Sequence, residues 1–267
     1  MAGNLNNSIK EQLDYWYEKI CTRDFIALDP VQFVHNYNKR EDIEIAAFLT
    51  AAIAWGRRDM ILRSAKKMFA LMGSSPYDYV MSGGFKKLRN KNIHRTFFEN
   101  DFKYYCLGLN RCYAKFSSLE KMFAAALAAP ASSAGKPAHC FSCASSDVWQ
   151  AFAFFREEMA AANKGGYSRH VSNPGLVNRN GSACKKLNLT LRWLVREGPV
   201  DSGIWKKIKT DALYIPLDVH VARTARQLGL LQRKSNDKKA VIELTEKLRG
   251  FCPEDPVKYD FALFGMN

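Results

Sequence analysis

Lys185 and Asp218 are the two residues of this 267-residue chain whose types and surroundings could support covalent chemistry. Lys185 follows a turn that Gly181 permits, and apolar residues recur at helical spacing over 187–195, which predicts a half-buried helix. Asp218 follows Pro216 and precedes a second apolar stripe, so we expect it to cap another helix. A lysine amine can form a Schiff base, and a nearby carboxylate can take its proton. Two helix N-termini could also hold phosphate.

The segments that carry these residues are NGSACK (180–185) and LDVHVAR (217–223). Together they resemble the helix-hairpin-helix DNA glycosylase superfamily, which includes endonuclease III and the 8-oxoguanine glycosylases, and within it a bacterial branch. That superfamily places a glycine hairpin and a lysine before one helix, and an aspartate followed by Thr or Val and His at the start of a later helix. Here the hairpin has Gly-Ser-Ala for the usual Gly-x-Gly, and the lysine and aspartate stand 33 residues apart, further than in endonuclease III-like proteins.

The resemblance implies an all-α, two-lobed helix-hairpin-helix glycosylase-like fold with a cleft between the lobes. We expect one unit over 1–267, with a central helical lobe at about 40–160. The second lobe would combine 1–39 with 161–267 and carry both motifs.

The helices that must position the site follow from hydrophobic periodicity, and no stretch of the chain shows a convincing strand pattern. The run 41–55 is apolar on nearly all sides, which predicts a buried central helix. The stretch 128–146 is rich in Ala, Ser, Pro and Gly, which predicts a flexible loop. Further helices are predicted at 8–21, 59–72, 76–83, 101–128 with a break at Gly108, 147–162 and 237–250.

The resemblance implies that Lys185 attacks the sugar C1′ as the base leaves, with Lys186 as the alternative nucleophile. Asp218 would stabilise positive charge on the sugar, orient water or take a proton from the lysine. The residues alone also allow simpler roles. Lys185 could be a phosphate contact or a solvated lysine, and Asp218 could be a helix cap that stabilises the fold by about 1 kcal/mol.

A second group of residues is predicted to bind DNA. The backbone amides of the hairpin would face a phosphate, although an ordinary helix start would have the same sequence. The resemblance implies that the histidine after the aspartate contacts phosphate, and a local hydrogen bond at the helix start is the alternative. The predicted DNA-binding residues are Gly181, Ser182, Ala183, Cys184, Lys186, His220 and Arg223.

The composition is that of a basic globular protein, with 40 Lys and Arg against 26 Asp and Glu and a formal charge of +14, which favours a nucleic-acid partner. No run is apolar enough for a membrane span and no signal peptide is evident, so we expect a cytoplasmic protein. The seven cysteines are scattered, and His139, Cys140 and Cys143 form an isolated H-C-x-x-C without a second ligand pair. The four clustered cysteines of an iron–sulfur site are missing near the C-terminus, so we expect no metal and no cofactor.

These patterns predict a monomeric base-excision repair glycosylase, associated with the bacterial nucleoid, that acts on double-stranded DNA containing a damaged base. Schiff-base chemistry at the lysine would add AP-lyase activity. A non-catalytic DNA-binding protein that keeps the fold is the main alternative, and a helical scaffold for a protein partner is a third. The lesion itself is not defined by these residues.

Overall fold

The computed structural model describes residues 2–128, 148–175 and 181–266. This part of the chain is mostly helical, as predicted, with twelve α-helices and one antiparallel hairpin, β1 (Asn92–His94) and β2 (Phe97–Phe98). None of the described helices combines the length and the apolar character that a bilayer crossing requires. The helices are α1 (Ala2–Ile20), α2 (Arg23–Leu28), α3 (Arg40–Ala52), α4 (Arg58–Ala70), α5 (Pro76–Ser82), α6 (Glu99–Phe116), α7 (Leu119–Ala128), α8 (Val148–Ala162), α9 (Lys185–Val195), α10 (Val219–Gln227), α11 (Lys238–Arg249) and α12 (Tyr259–Gly265).

Helix α3 is the buried central helix that its composition predicts. Eleven of its thirteen residues are buried, because Ala, Ile and Phe side chains occupy most of its surface. The buried carboxylate of Glu44 accepts hydrogen bonds from the Tyr113 hydroxyl (2.7 Å), the Trp205 indole (2.8 Å) and the backbone N–H of Leu119 (3.1 Å). This acid therefore ties the start of α7 and the segment after α9 to the central helix.

Helix α12 packs against both α1 and α10. Gly265 permits the close approach to α1, because a Cβ at this position would lie 2.4 Å from Ile20 Cγ1. Phe261 is buried on the same helix. The packing against α10 places the buried Asp260 of α12 in the same cavity wall as Asp218.

Two sequence predictions in the region of α6 were wrong. The helix ends at Ser117, which adopts φ 63°, and not at Gly108. Gly108 lies inside α6 and makes room for α8, since a Cβ there would lie 2.0 Å from the Met159 sulfur. A glycine in a helical pattern can serve close packing as well as a break. The β1–β2 hairpin was not predicted because its strands of three and two residues are too short to show alternation.

Part of the sequence interpretation lies outside the described residues. The predicted flexible loop falls there beyond Ala128, together with His139, Cys140 and Cys143. Asn180, the first residue of the hairpin segment, also lies outside.

Candidate functional site

A tight turn at 181–184 leads into α9. A Cβ on Gly181 would lie 2.0 Å from the carbonyl oxygen of Pro174, so the packing requires glycine here. The Ser182 N–H donates to the Asn173 carbonyl (2.9 Å), and the Cys184 N–H lies 3.4 Å from the Ser182 hydroxyl. Two of the four amides assigned to phosphate are thus bonded within the protein. Phosphate binding by this turn stays a prediction.

Helix α9 begins at Lys185, as the sequence predicts. The apolar residues after it, among them Leu187, Leu191 and Leu194, are buried. Their burial fixes the orientation of the helix and leaves the Lys185 side chain 31% exposed at its start. The lysine can therefore reach a ligand while its helix is held by the core.

Asp218 caps α10, as predicted. One carboxylate oxygen, Oδ1, accepts hydrogen bonds from the backbone N–H groups of His220 (2.9 Å) and Val221 (3.0 Å). These two amides have no partner within the helix, so the cap stabilises its first turn.

The second oxygen of the same carboxylate faces Lys185. Asp218 Oδ2 lies 3.1 Å from Lys185 Nζ, and this amine also donates to the carbonyl of Ala54 at 3.3 Å. Burial alone would raise the pKa of Asp218, but the Lys185 ammonium and the α10 amides outweigh it and lower that pKa. The structure thus brings together the two residues that the sequence analysis placed at the centre of the chemistry.

The Lys185–Asp218 pair lines an open cavity of about 920 Å³. This volume is within the range of small-molecule sites, roughly 300–1,000 Å³. Guanidinium groups of Arg57, Arg58 and Arg95 line the same cavity and favour an anionic ligand. The aromatic lining residues are Phe25, Trp55, Trp193, Phe261 and Phe264.

Two further acids, Asp29 and Asp260, line this cavity, and the sequence analysis did not assign them to the site. Asp260 forms a buried ion pair with Arg192, which also lies 3.3 Å from Asp201. Burial raises the pKa of Asp260 to about 6, and the Asp218 carboxylate adds to this, while Arg192 opposes it. The sequence signal for Asp260 was its position as a lone acid within the apolar sequence of α12.

Lys186, the alternative nucleophile, lies apart from Asp218 in a second environment. Its amine lies 4.2 Å from the centre of the Trp55 ring and donates to the His170 carbonyl at 3.3 Å. Burial and the neighbouring Lys185 ammonium lower the pKa of Lys186 to about 8, against a weaker opposite effect of Asp101. An amine of this kind is partly neutral at slightly alkaline pH.

The other predicted DNA-binding residues lie at the start of α10. His220 is exposed and lines the cavity of the Lys185–Asp218 pair. Arg223 is exposed one turn further along the helix and does not line that cavity. Their contact with DNA stays a prediction.

The family model described as "Protein of unknown function (DUF2400)" matches residues 29–267. The chain belongs to the DUF2400 family. No curated protein matches this DUF2400 chain, and no solved structure does. The matched residues include Lys185, Asp218 and all the residues that line their cavity apart from Phe25.

Proposed function

We propose that this DUF2400 chain is a DNA glycosylase with AP-lyase activity, built on a two-lobed helix-hairpin-helix fold. The observation that carries the proposal is the 3.1 Å contact between Lys185 Nζ and Asp218 Oδ2 in the wall of a cavity that arginines also line. An amine next to a carboxylate is suited to Schiff-base chemistry on a sugar. The formal charge of +14 suits a DNA substrate.

The first step needs a neutral amine at Lys185. In the proposed reaction a damaged nucleotide leaves the base stack and enters the cavity, whose wall includes aromatic side chains such as Phe264. The Lys185 ammonium passes a proton to the Asp218 carboxylate, which frees the nitrogen lone pair. The amine then attacks C1′, the N-glycosidic bond breaks, and the bond's electron pair leaves with the base, which takes up a proton.

Strand cleavage follows from the covalent intermediate. The C1′–O4′ bond breaks as the lone pair of the Lys185 nitrogen forms an iminium ion with C1′, and O4′ takes the bond's electron pair and the proton that the nitrogen lost after its attack. The iminium ion acidifies the C2′ proton. Removal of that proton to a base and departure of the 3′ phosphate with the C3′–O electron pair complete a β-elimination. Hydrolysis of the imine by water releases an unsaturated aldehyde and restores the amine of Lys185.

The helix packing supports the two-lobed arrangement. Helices α6, α7 and α8 pack against one another, which suits a central lobe. Helix α12 packs against α1 and α10, so the N-terminal helix joins the C-terminal ones as the second lobe requires. Helix α9 packs on α3, and this contact would join the two lobes beside the cavity.

Borohydride trapping tests the proposal directly. The full chain is incubated with duplexes that carry an abasic site, 8-oxoguanine, uracil or an oxidised pyrimidine. We expect a covalent adduct for wild type and for Lys67→Gln, which changes an exposed lysine near the end of α4. We expect none for Lys185→Gln.

The remaining outcomes distinguish the alternatives. An adduct that persists in Lys185→Gln and disappears in Lys186→Gln would assign the nucleophile to Lys186. Intact DNA binding with neither an adduct nor base release on any duplex would contradict the glycosylase proposal and support a non-catalytic DNA-binding protein. If the wild-type protein does not bind DNA, both DNA-based functions are contradicted, and the helical scaffold for a protein partner is the alternative that remains.

A further inference from the structure

A second cavity of about 460 Å³ adjoins the first. The two share the lining residues Ala54, Trp55 and Lys185. The rest of the second wall comes from the loop 168–173, the turn 182–184 and two side chains on helices, Arg156 of α8 and Lys186 of α9. The second cavity therefore lies next to the amine that the proposed function places at the sugar.

Basic side chains line both cavities, but the two cavities differ in their acids. The first cavity has the carboxylates of Asp29, Asp218 and Asp260 in its wall. Among the described residues, the wall of the second contains Arg156, Arg169, Lys185 and Lys186 and no acid. Within residues 2–128, 148–175 and 181–266, no carboxylate oxygen lies within 4.0 Å of a side-chain nitrogen of Arg156, Arg169 or Lys186. Within the described residues, no direct ion pair therefore neutralises the positive charge of these three side chains.

Neutral groups hold each of these cations in place. The Arg156 guanidinium lies 4.0 Å from the centre of the Tyr167 ring. In the described part of the chain its buried Nε has no hydrogen-bond partner. Arg169 Nη2 donates to the Thr96 carbonyl at 2.9 Å. Neutral groups therefore position the two guanidinium groups, and no carboxylate of the described residues pairs with them.

Lys186 is likewise held by neutral groups, and its environment disfavours its positive charge. It is held by the His170 carbonyl and the Trp55 ring, and both burial and Lys185 disfavour its charged form. The acid that favours the charged form of Lys186 is Asp101. Its carboxylate lies 3.7 Å from His170 Nε2 and also accepts a hydrogen bond from the Phe98 N–H. An anion in the cavity would offset the cost of the buried ammonium.

We propose that the second cavity is a phosphate-binding site in which Arg156, Arg169 and Lys186 hold one phosphate group. A guanidinium group binds phosphate oxygens through paired N–H donors, and a lysine adds a point charge. The source that fits the shared Lys185 wall is a phosphodiester next to the nucleotide whose C1′ meets Lys185. This source rests on the proposed function, whereas a free phosphate ion would use the same contacts without it.

The test separates the two sources of phosphate. Methylphosphonate linkages, which remove the charge of one phosphate, are placed singly along an abasic-site duplex, and binding to the full chain is measured. We expect one position to weaken wild-type binding about tenfold or more and to have no further effect in Arg156→Gln or Arg169→Gln. Arg58→Gln, which changes an arginine of the first cavity, should keep the wild-type response at that position.

A parallel titration with inorganic phosphate, followed by calorimetry, completes the design. One outcome is that the wild type binds inorganic phosphate and Arg156→Gln does not, while no linkage in the duplex is sensitive to methylphosphonate. That result would support the phosphate site and assign it to free phosphate. No sensitive position and no saturable phosphate binding would overturn the proposal. Thermal unfolding of both arginine variants checks that they fold.

The phosphate site can be tested independently of the proposed chemistry. Binding is also measured with Lys185→Gln, which lacks the amine that the proposed function assigns to the Schiff base. A sensitive phosphate position in that variant, without borohydride trapping in the wild type, would support the phosphate site while the glycosylase proposal failed.

Discussion

The ammonium of Lys185 and the carboxylate of Asp218 lie 3.1 Å apart although they begin two different helices. The two oxygens of the carboxylate have separate partners, because Oδ1 accepts from the α10 amides and Oδ2 faces the lysine. These contacts fix the plane of the carboxylate. They also keep its pKa below the usual value despite burial, so that it is ionised at neutral pH.

Two substitutions of Asp218 distinguish its role as a helix cap from its proposed role in proton transfer. Asp218→Asn keeps a good N-cap and removes the charge that faces Lys185, so we expect a small loss of stability in urea unfolding but a trapping rate on abasic DNA that is roughly 10²–10⁴ lower. Asp218→Ala should lose about 1 kcal/mol of stability in addition. Asp237→Asn, at the equivalent cap of α11, is the control and should keep the wild-type rate. A full rate in Asp218→Asn would exclude a role for the carboxylate in proton transfer.

Lys186 should make stability depend on alkaline pH. Its pKa is about 8 in the folded protein against 10.5 as the reference value. The unfolded chain therefore binds more protons between these pH values, and the free energy of unfolding rises with pH across them. We expect Lys186→Met to be more stable than wild type by up to roughly 3 kcal/mol at pH 7, with a smaller difference at pH 10. Urea unfolding at both pH values measures this, and an equal difference at both would contradict it.

Arg192 should stabilise the fold through its two buried acids. Arg192→Ala leaves Asp260 without its partner and removes one partner of Asp201, so we expect a loss of about 3–5 kcal/mol in urea unfolding. Adding Asp260→Asn removes the uncompensated charge and should recover part of that loss. The single variant Asp260→Asn completes the double-mutant cycle. Strictly additive effects would show that the two side chains do not interact.

Arg58 should contribute to the electrostatic part of DNA binding. It is exposed at the first cavity, with its guanidinium carbon 4.9 Å from the centre of the Phe264 ring. If it contacts one phosphate, Arg58→Gln should reduce the slope of log K against log salt by about 0.9. Lys121→Gln, on α7 away from both cavities, should leave the slope unchanged. Identical slopes for Arg58→Gln and wild type would exclude this phosphate contact.

The local signals in the sequence were enough for the starts of α9 and α10. A glycine that close packing requires, a capping aspartate and a regular apolar stripe are all encoded within a few residues. The helical class and the buried central helix could be predicted for the same reason, since composition and period act locally. That Lys185 and Asp218 meet was expected only from the resemblance.

The rest of the site depends on contacts between distant segments. Asp260 and Asp29 join the first cavity from α12 and from the residue after α2, and nothing near them in sequence predicts that meeting. Arg156 and Arg169 were equally inconspicuous in a chain with 40 basic residues. Only the folded arrangement shows that these two arginines line a cavity and have no carboxylate partner among the described residues.

The two oxygens of the Asp218 carboxylate have different partners, and this has a consequence for the evolution of the family. A relative that needed only the helix cap could carry Ser, Thr or Asn at this position at little cost in stability. A relative that needed only an acid could carry Glu, but the longer side chain would no longer reach both partners. Under the proposed function, aspartate meets both demands. The residue at position 218 would then distinguish relatives that keep the proposed chemistry from relatives that keep only the helix cap.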